Sequence, residues 1–137
     1  MKNILSNKLI ERYSRQIVLK DVGPLGQKKI INSKVLVVGA GGLGCPVIEY
    51  LSRAGVGNIG IIDYDKVSIS NIHRQSLYDT RDVGKAKVLV LKKKIKLINP
   101  LVKIKIFNKR IKKENIAEIF KNYNFIVDGS DNFKTKF

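Results

Sequence analysis

The chain has 137 residues, 44% hydrophobic and 28% charged, with 11 glycines and 3 prolines; that is enough for one domain with its own core, and the composition is neither disordered nor collagen-like. A single cysteine excludes a disulfide scaffold and any zinc site built from paired cysteines on this chain, so a reducing, cytoplasmic setting is expected and no zinc. The net charge of +16 suggests a nucleic-acid partner, yet 21 Lys against 6 Arg, with 19 Ile, 11 Asn and 4 Ala, is the profile of an A+T-rich coding sequence.

Met1 to Ile10 lacks the apolar core of a signal peptide, and no apolar run approaches the ~18 to 20 residues that cross a bilayer, so no membrane partner is expected. Leu9 to Lys20 and Gly26 to Ile31 read as two helices, and from Ser33 onward strands and helices alternate. Lys34 to Val38 is a β-branched strand ending in glycines, Gly42 to Arg53 has helical character, and Asn58 to Asp63 is again an apolar strand. Val88, Leu91, Ile95 and Ile98 share one face of a helix over Val83 to Ile98, which Asn99-Pro100 stops. Val102, Ile104 and Ile106 alternate with Lys103 and Lys105 in a strand with one wet face; Glu114 to Tyr123 is a short helix and Phe125 to Asp128 a fourth strand. The order β-α-β-α-β-α-β predicts an α/β fold, a Rossmann-like parallel sheet with helical crossovers preceded by two N-terminal helices. Residues 1–32 are expected to form those helices and 33–137 the α/β core of one domain.

Within this frame, Lys85 to Lys113 holds 12 basic residues and no acidic one, with Phe107 its single aromatic. Single-strand binders set aromatic platforms beside their charge, so solvated lysine faces are expected here in place of a nucleic-acid patch. A positive field also attracts ATP or an acidic protein.

Gly39-Ala40-Gly41-Gly42-Leu43-Gly44 fits G-x-G-x-x-G, follows a strand and opens a helix, and Asp63 stands 21 residues after Gly42 at the end of the next strand. The glycines allow the tight turn and a close nucleotide, the helix N-terminus favours phosphate, and the carboxylate accepts from ribose hydroxyls. The pattern alone leaves NAD, FAD and ATP open. Beyond it, Ser70-Asn71-Ile72-His73-Arg74-Gln75 and Gly84-Lys85-Ala86-Lys87 put an Asn, an Arg and a Lys into one crossover on the side of the glycine loop. A triphosphate site has more use for such a cluster than a dehydrogenase, because departing pyrophosphate concentrates negative charge. Ser130-Asp131-Asn132 adds a carboxylate suited to holding Mg²⁺ against phosphates, or a plain strand-end turn. Cys45, at the start of the glycine-loop helix, is expected to pack and not to react.

Arg12-Tyr13-Ser14-Arg15-Gln16, Gly39 to Gly44, Asp63-Tyr64-Asp65, Ser70 to Gln75, Lys87, Ile98-Asn99-Pro100 and Ser130-Asp131-Asn132 occur in an order and spacing that resembles the ThiF/MoeB/HesA family, relatives of ubiquitin-activating enzymes. The resemblance covers nearly the whole chain. It implies an ATP- and Mg²⁺-dependent adenylyltransferase that activates the C-terminal Gly-Gly carboxylate of a ubiquitin-like sulfur carrier such as ThiS or MoaD and releases pyrophosphate. Carried over residue by residue, it places Gly39, Gly41, Gly42 and Gly44 around the nucleotide and Asp63 on the ribose. The Ser70, Asn71, Ile72, His73 and Arg74 run and Lys87 would lie along the phosphates. Asp131 would hold Mg²⁺ with Asn132 beside the nucleotide, and Arg15 would reach the site of a neighbouring subunit, making the active unit a homodimer. Arg15, Arg74, Lys87 and Asp131 are thus the expected catalytic set. Asp65 fits the pattern in a supporting role, and His73 is read as loop structure and not as a base.

Family chains continue for about one further small domain. The resemblance therefore implies that the C-terminal half of the family fold, with its groove for the carrier, lies outside this chain, leaving a weakly active fragment. Two other readings stand beside the carrier-activating one: a relative that activates a modified adenosine in tRNA, against which the Arg12 to Gln16 segment argues, and a non-catalytic nucleotide-binding or dimerisation module. An NAD-dependent dehydrogenase is more distant.

Overall fold

The computed structural model describes residues 4–131. Two helices come first, α1 (Asn7–Ile17) and α2 (Gly23–Asn32). Both begin earlier than apolar spacing alone suggests. The Ser6 side chain accepts from the Leu9 N–H and starts α1, and Gly23 with Pro24 opens α2, where a proline's missing N–H costs nothing.

The rest is β1 (Lys34–Val38), α3 (Gly44–Ala54), β2 (Asn58–Ile62), α4 (Lys87–Ile98), β3 (Lys103–Phe107), α5 (Lys113–Phe120) and β4 (Phe125–Asp128). All described strand pairings are parallel, in the order β3-β2-β1-β4. This is the expected α/β architecture. Alternation along β1 sorts the two layers: Val35 and Val37 face one core with Ile48 of α3 and Val88, Leu91 and Ile95 of α4. Leu36 and Val38 face the other, closed by Ile119, Phe120 and Tyr123 at and beyond α5. The register starts at Lys34 opposite Asn58, so the C-terminal ends of β1 and β2 finish level.

The chain moves from β1 outward to β2 and β3, then returns to place β4 on the other side of β1. A crevice opens where the order reverses, beyond the carboxyl ends of β1 and β4, the place where open α/β sheets take ligands. At that far edge β4 is thinly covered, with Phe125 62% and Ile126 39% exposed.

The predicted helix over Val83 to Ile98 begins only at Lys87. Residues 84–87 are instead drawn into pairing with the segment after β2: Val67 N–H donates to Lys85 O at 2.8 Å, Gly84 N–H to Val67 O at 2.8 Å and Lys87 N–H to Asp65 O at 3.0 Å. The helix expected from Glu114 to Tyr123 closes at Phe120, and that expected from Gly42 begins at Gly44. Among the described residues no helix is long and apolar enough to cross a membrane.

Candidate functional site

At the crevice lies a cavity of about 650 Å³. Its floor is the glycine loop. Gly39 has φ +89°, a left-handed value that side chains resist, and a Cβ there would meet the Gly129 carbonyl at 3.0 Å. A Cβ on Gly44 would sit 1.9 Å from the Gly39 oxygen, so α3 can approach the strand this closely only through glycine. Gly39, Gly41 and Gly42 line the cavity, whereas Gly44 stands behind them, buried.

Asp63, just past β2, also lines the cavity. Its Oδ2 accepts from the Ala40 N–H and its Oδ1 from the Asp65 N–H, each at 2.7 Å. A carboxylate offers about four lone-pair directions, so the two backbone bonds orient the group and leave capacity for hydroxyl donors.

The crossover after β2 brings in Asn71, Arg74 and Lys87. Asn71 closes a one-turn 3₁₀ helix (Ile69–Asn71) by accepting from the Ser68 N–H at 3.1 Å, which leaves its Nδ2 as the end a ligand can use. The stem of Arg74 passes 3.7–3.8 Å from where a Gly42 Cβ would be. Its Nη1 is held by Ser70 O at 2.9 Å and His73 Nε2 at 3.0 Å. Lys87, at the first turn of α4, is 5% exposed, and its Nζ is 3.7 Å from Asp65 Oδ2. Asp65 therefore stands beside a buried ammonium at the wall of the cavity.

The crossover is itself braced. Lys94 of α4 reaches Asp79 Oδ2 at 2.6 Å and Asp82 Oδ2 at 3.4 Å, and Arg81 pairs with Asp79 at 2.9 Å. The Arg81 guanidinium, with Lys94, holds the Asp79 carboxyl well below the usual carboxylate range.

Asp131, exposed, lines the cavity beside Gly129 and Ser130. Ser130 is turned by Asp128, whose Oδ1 accepts from both its N–H and its Oγ. Asn132 lies outside the described residues. Ser70, Ile72 and His73 do not line the cavity: Ile72 packs on the core, and Ser70 and His73 serve as props for Arg74.

Arg15 is exposed on α1 and outside the cavity lining. Its neighbours in sequence are firmly anchored. The buried Tyr13 hydroxyl accepts from Asn99 Nδ2 at 2.9 Å, Gln16 Nε2 donates to Ala54 O at 2.7 Å and also contacts Gln27, and Arg12 reaches Ile98 O at 3.3 Å. The Arg12 to Gln16 and Ile98 to Pro100 motifs thus form one contact, which displays Arg15 outward. Cys45 is buried as expected, its Sγ 3.3 Å from Ala40 O, and burial pushes the thiol pKa up.

Sequence reasoning missed the β3 side of the cavity. Lys109, Arg110 and Ile111 line it, and the Arg110 guanidinium lies 4.1 Å from the Tyr64 ring centroid, a cation–π distance. They were hidden in the basic stretch read as solvated lysine. The signal was their place just beyond the carboxyl end of a parallel strand. Gln75 was missed as well; it lines the cavity and is 3% exposed, with its Oε1 buried and without a hydrogen-bond partner among the described residues.

The ThiF family profile matches residues 13–137. The chain is 48% identical over 128 residues to a sulfur carrier protein adenylyltransferase of Thermus thermophilus, covering 93% of this chain and 47% of the relative. It is 47% identical over 128 residues to the adenylyltransferase and sulfurtransferase MOCS3 of Dictyostelium discoideum, covering 93% and 30%. The chain therefore spans half or less of the length of these curated relatives. Among solved structures, E. coli tRNA N6-threonylcarbamoyladenosine dehydratase in complex with AMP matches with a TM-score of 0.87 and 29% identity, over 93% of this chain and 52% of that one. E. coli MccB with ATP matches with a TM-score of 0.82 and 28% identity, over 98% and 40%.

Proposed function

The chain belongs to the ThiF family, and on that premise we propose that it carries the ATP-binding part of an adenylyltransferase that activates the C-terminal Gly-Gly carboxylate of a ubiquitin-like sulfur carrier. One observation carries the reading: a single cavity is lined by an oriented carboxylate, Asp63, and by the Asn71, Arg74 and Lys87 donors, around a glycine floor. A carboxylate suits ribose hydroxyls, and the cations suit a triphosphate.

In the proposed reaction a carrier carboxylate oxygen attacks the α-phosphorus, the bond from that phosphorus to the bridging oxygen breaks, and pyrophosphate leaves with the electron pair. The carboxylate is ionised at neutral pH, so no general base is required. Arg74 and Lys87 stabilise the charge that builds on the phosphoryl oxygens, and they are preorganised by their bonds to Ser70, His73 and Asp65. Magnesium, when bound, draws charge off the phosphates. Among the described residues no group of three or more His, Cys, Asp or Glu could hold a metal by itself. Asp131 would therefore share the ion with phosphate oxygens and waters, the ordinary manner for Mg²⁺.

Calorimetry of the chain with ATP and with NAD tests the first step. ATP should bind more tightly, and Asp63→Ala should weaken it about 10-fold or more, the worth of a hydrogen bond to a charged group. Tighter binding of NAD would sink the reading.

The displayed Arg15 suits an active homodimer in which it reaches the partner's phosphates. In chains extended by a relative's C-terminal half, Arg15→Ala and Asp131→Ala subunits should each be inactive alone. They should regain activity when mixed, since a heterodimer has one site with both residues intact. No recovery after subunit exchange, verified by mass, would return Arg15 to its own subunit or to a structural role.

A second reading, activation of a tRNA adenosine, is favoured by the net charge of +16 and by the likeness to the E. coli dehydratase. The higher identity to the Thermus thermophilus enzyme, 48% against 29%, favours the carrier. Pyrophosphate exchange that depends on tRNA and not on a Gly-Gly carrier would reverse that preference.

A further inference from the structure

The glycine loop is gripped from behind as well as from the cavity. Ala40 is fully buried, and its peptide groups are engaged on both sides: its N–H donates to Asp63 Oδ2 at 2.7 Å, and its carbonyl accepts from the Tyr78 hydroxyl at 2.8 Å and from Cys45 Sγ at 3.3 Å. Tyr78 is 4% exposed and is not part of the cavity lining. It follows Gln75, whose carbonyl accepts the Tyr78 N–H at 3.1 Å, and precedes Asp79, which Arg81 and Lys94 hold. The ring therefore bridges the crossover that carries Asn71 and Arg74 to the loop that orients Asp63.

We propose that Tyr78 is a positioning residue of the nucleotide site, its buried hydroxyl fixing the Ala40 carbonyl and so restraining the Ala40 backbone, whose N–H on the preceding peptide orients the carboxylate that meets the ribose; the inference rests on the ribose reading of Asp63. Ala40 lies between Gly39, with φ +89°, and Gly41, so the local backbone has little intrinsic preference to hold it. Two strong partners, a carboxylate on one side and a phenol on the other, replace that missing preference. A thiol is a weak donor, so Cys45 cannot stand in for the phenol. Burial pushes the Tyr78 hydroxyl pKa far upward, which keeps its proton available for donation.

The test is calorimetry of wild type, Tyr78→Phe and Asp63→Ala with three probes: ATP, 2′,3′-dideoxy-ATP and inorganic tripolyphosphate. Tyr78→Phe keeps the ring and creates no cavity. It should weaken ATP by roughly 3- to 10-fold, the scale of one neutral hydrogen bond. The preference for ATP over the dideoxy analogue should fall by the same factor, while the analogue and tripolyphosphate stay within about 2-fold of wild type. Asp63→Ala should abolish the preference. A parallel loss across all three probes, or an unchanged preference in Tyr78→Phe beside a clear preference in wild type, overturns the role of Tyr78 alone. A wild type that does not prefer ATP to its dideoxy analogue overturns the ribose reading of Asp63 and this inference with it. Should Tyr78→Phe not fold, the Tyr78 hydroxyl proton in nucleotide-free wild type decides the matter by NMR: a slowly exchanging proton close to the Ala40 carbonyl supports a bond formed in advance, and exchange at the rate of a solvated phenol overturns it.

Discussion

Arg74→Ala and Lys87→Ala, in a chain extended by a relative's C-terminal half, are each expected to slow carrier-dependent pyrophosphate exchange by roughly 10² to 10³, about 3 to 4 kcal/mol of lost stabilisation, with a smaller change in ATP affinity. The two cations differ in a way that makes the pair informative. Arg74 is exposed and held by Ser70 O and His73 Nε2, so its removal should cost little stability. Lys87 is buried, and its loss leaves Asp65, half exposed at 51%, without its partner. Water can solvate that carboxylate, so stability should again fall only modestly. Ordinary melting temperatures beside a collapsed rate would identify both as transition-state donors. Wild-type exchange rates in both variants would remove them from that role.

The second large effect concerns the chain by itself. Compared with the extended chain, it should show at most weak ATP binding and no efficient adenylation of a Gly-Gly carrier. Aligning two reactants can supply roughly 7 kcal/mol or more of barrier reduction, and the cavity proposed for the nucleotide accounts for only one of the two. The relatives it matches are at least about twice as long, which gives the rest of the alignment a place to reside. The thinly covered β4 edge, with Phe125 and Ile126 exposed, should also promote association of the isolated chain. Equal exchange rates for the two forms, with sedimentation showing no association, would mean that the carrier's carboxylate is aligned by residues already described.

Strand positions and the glycine loop were legible in the sequence for a local reason. Lys34 to Val38 and Phe125 to Asp128 were read with the boundaries the fold shows, because short β-branched runs ending in glycine or aspartate declare themselves without knowledge of their neighbours. The fully buried Val88, Leu91 and Ile95 were legible by the 3.6-residue period. The α4 start was not, because residues 84–87 are claimed by backbone pairing with residues 65–67, and no local propensity announces a partner some twenty residues away.

The candidate site divides along the same line. The sequence by itself determined which residue types were present, Asp63, Asn71, Arg74, Lys87 and Asp131 among them, and that the glycines could form a turn against a helix. Tertiary structure alone decided that these line one cavity, that Lys109 and Arg110 join them from beyond β3, and that Arg15 stands apart on α1. It also decided that a tyrosine with no signature of its own holds the Ala40 carbonyl. The physical reason is topological: the reversal of strand order at β1 gathers loops far apart in the chain at one crevice, and a hydrogen bond across that gap leaves no periodic trace in the residues that make it.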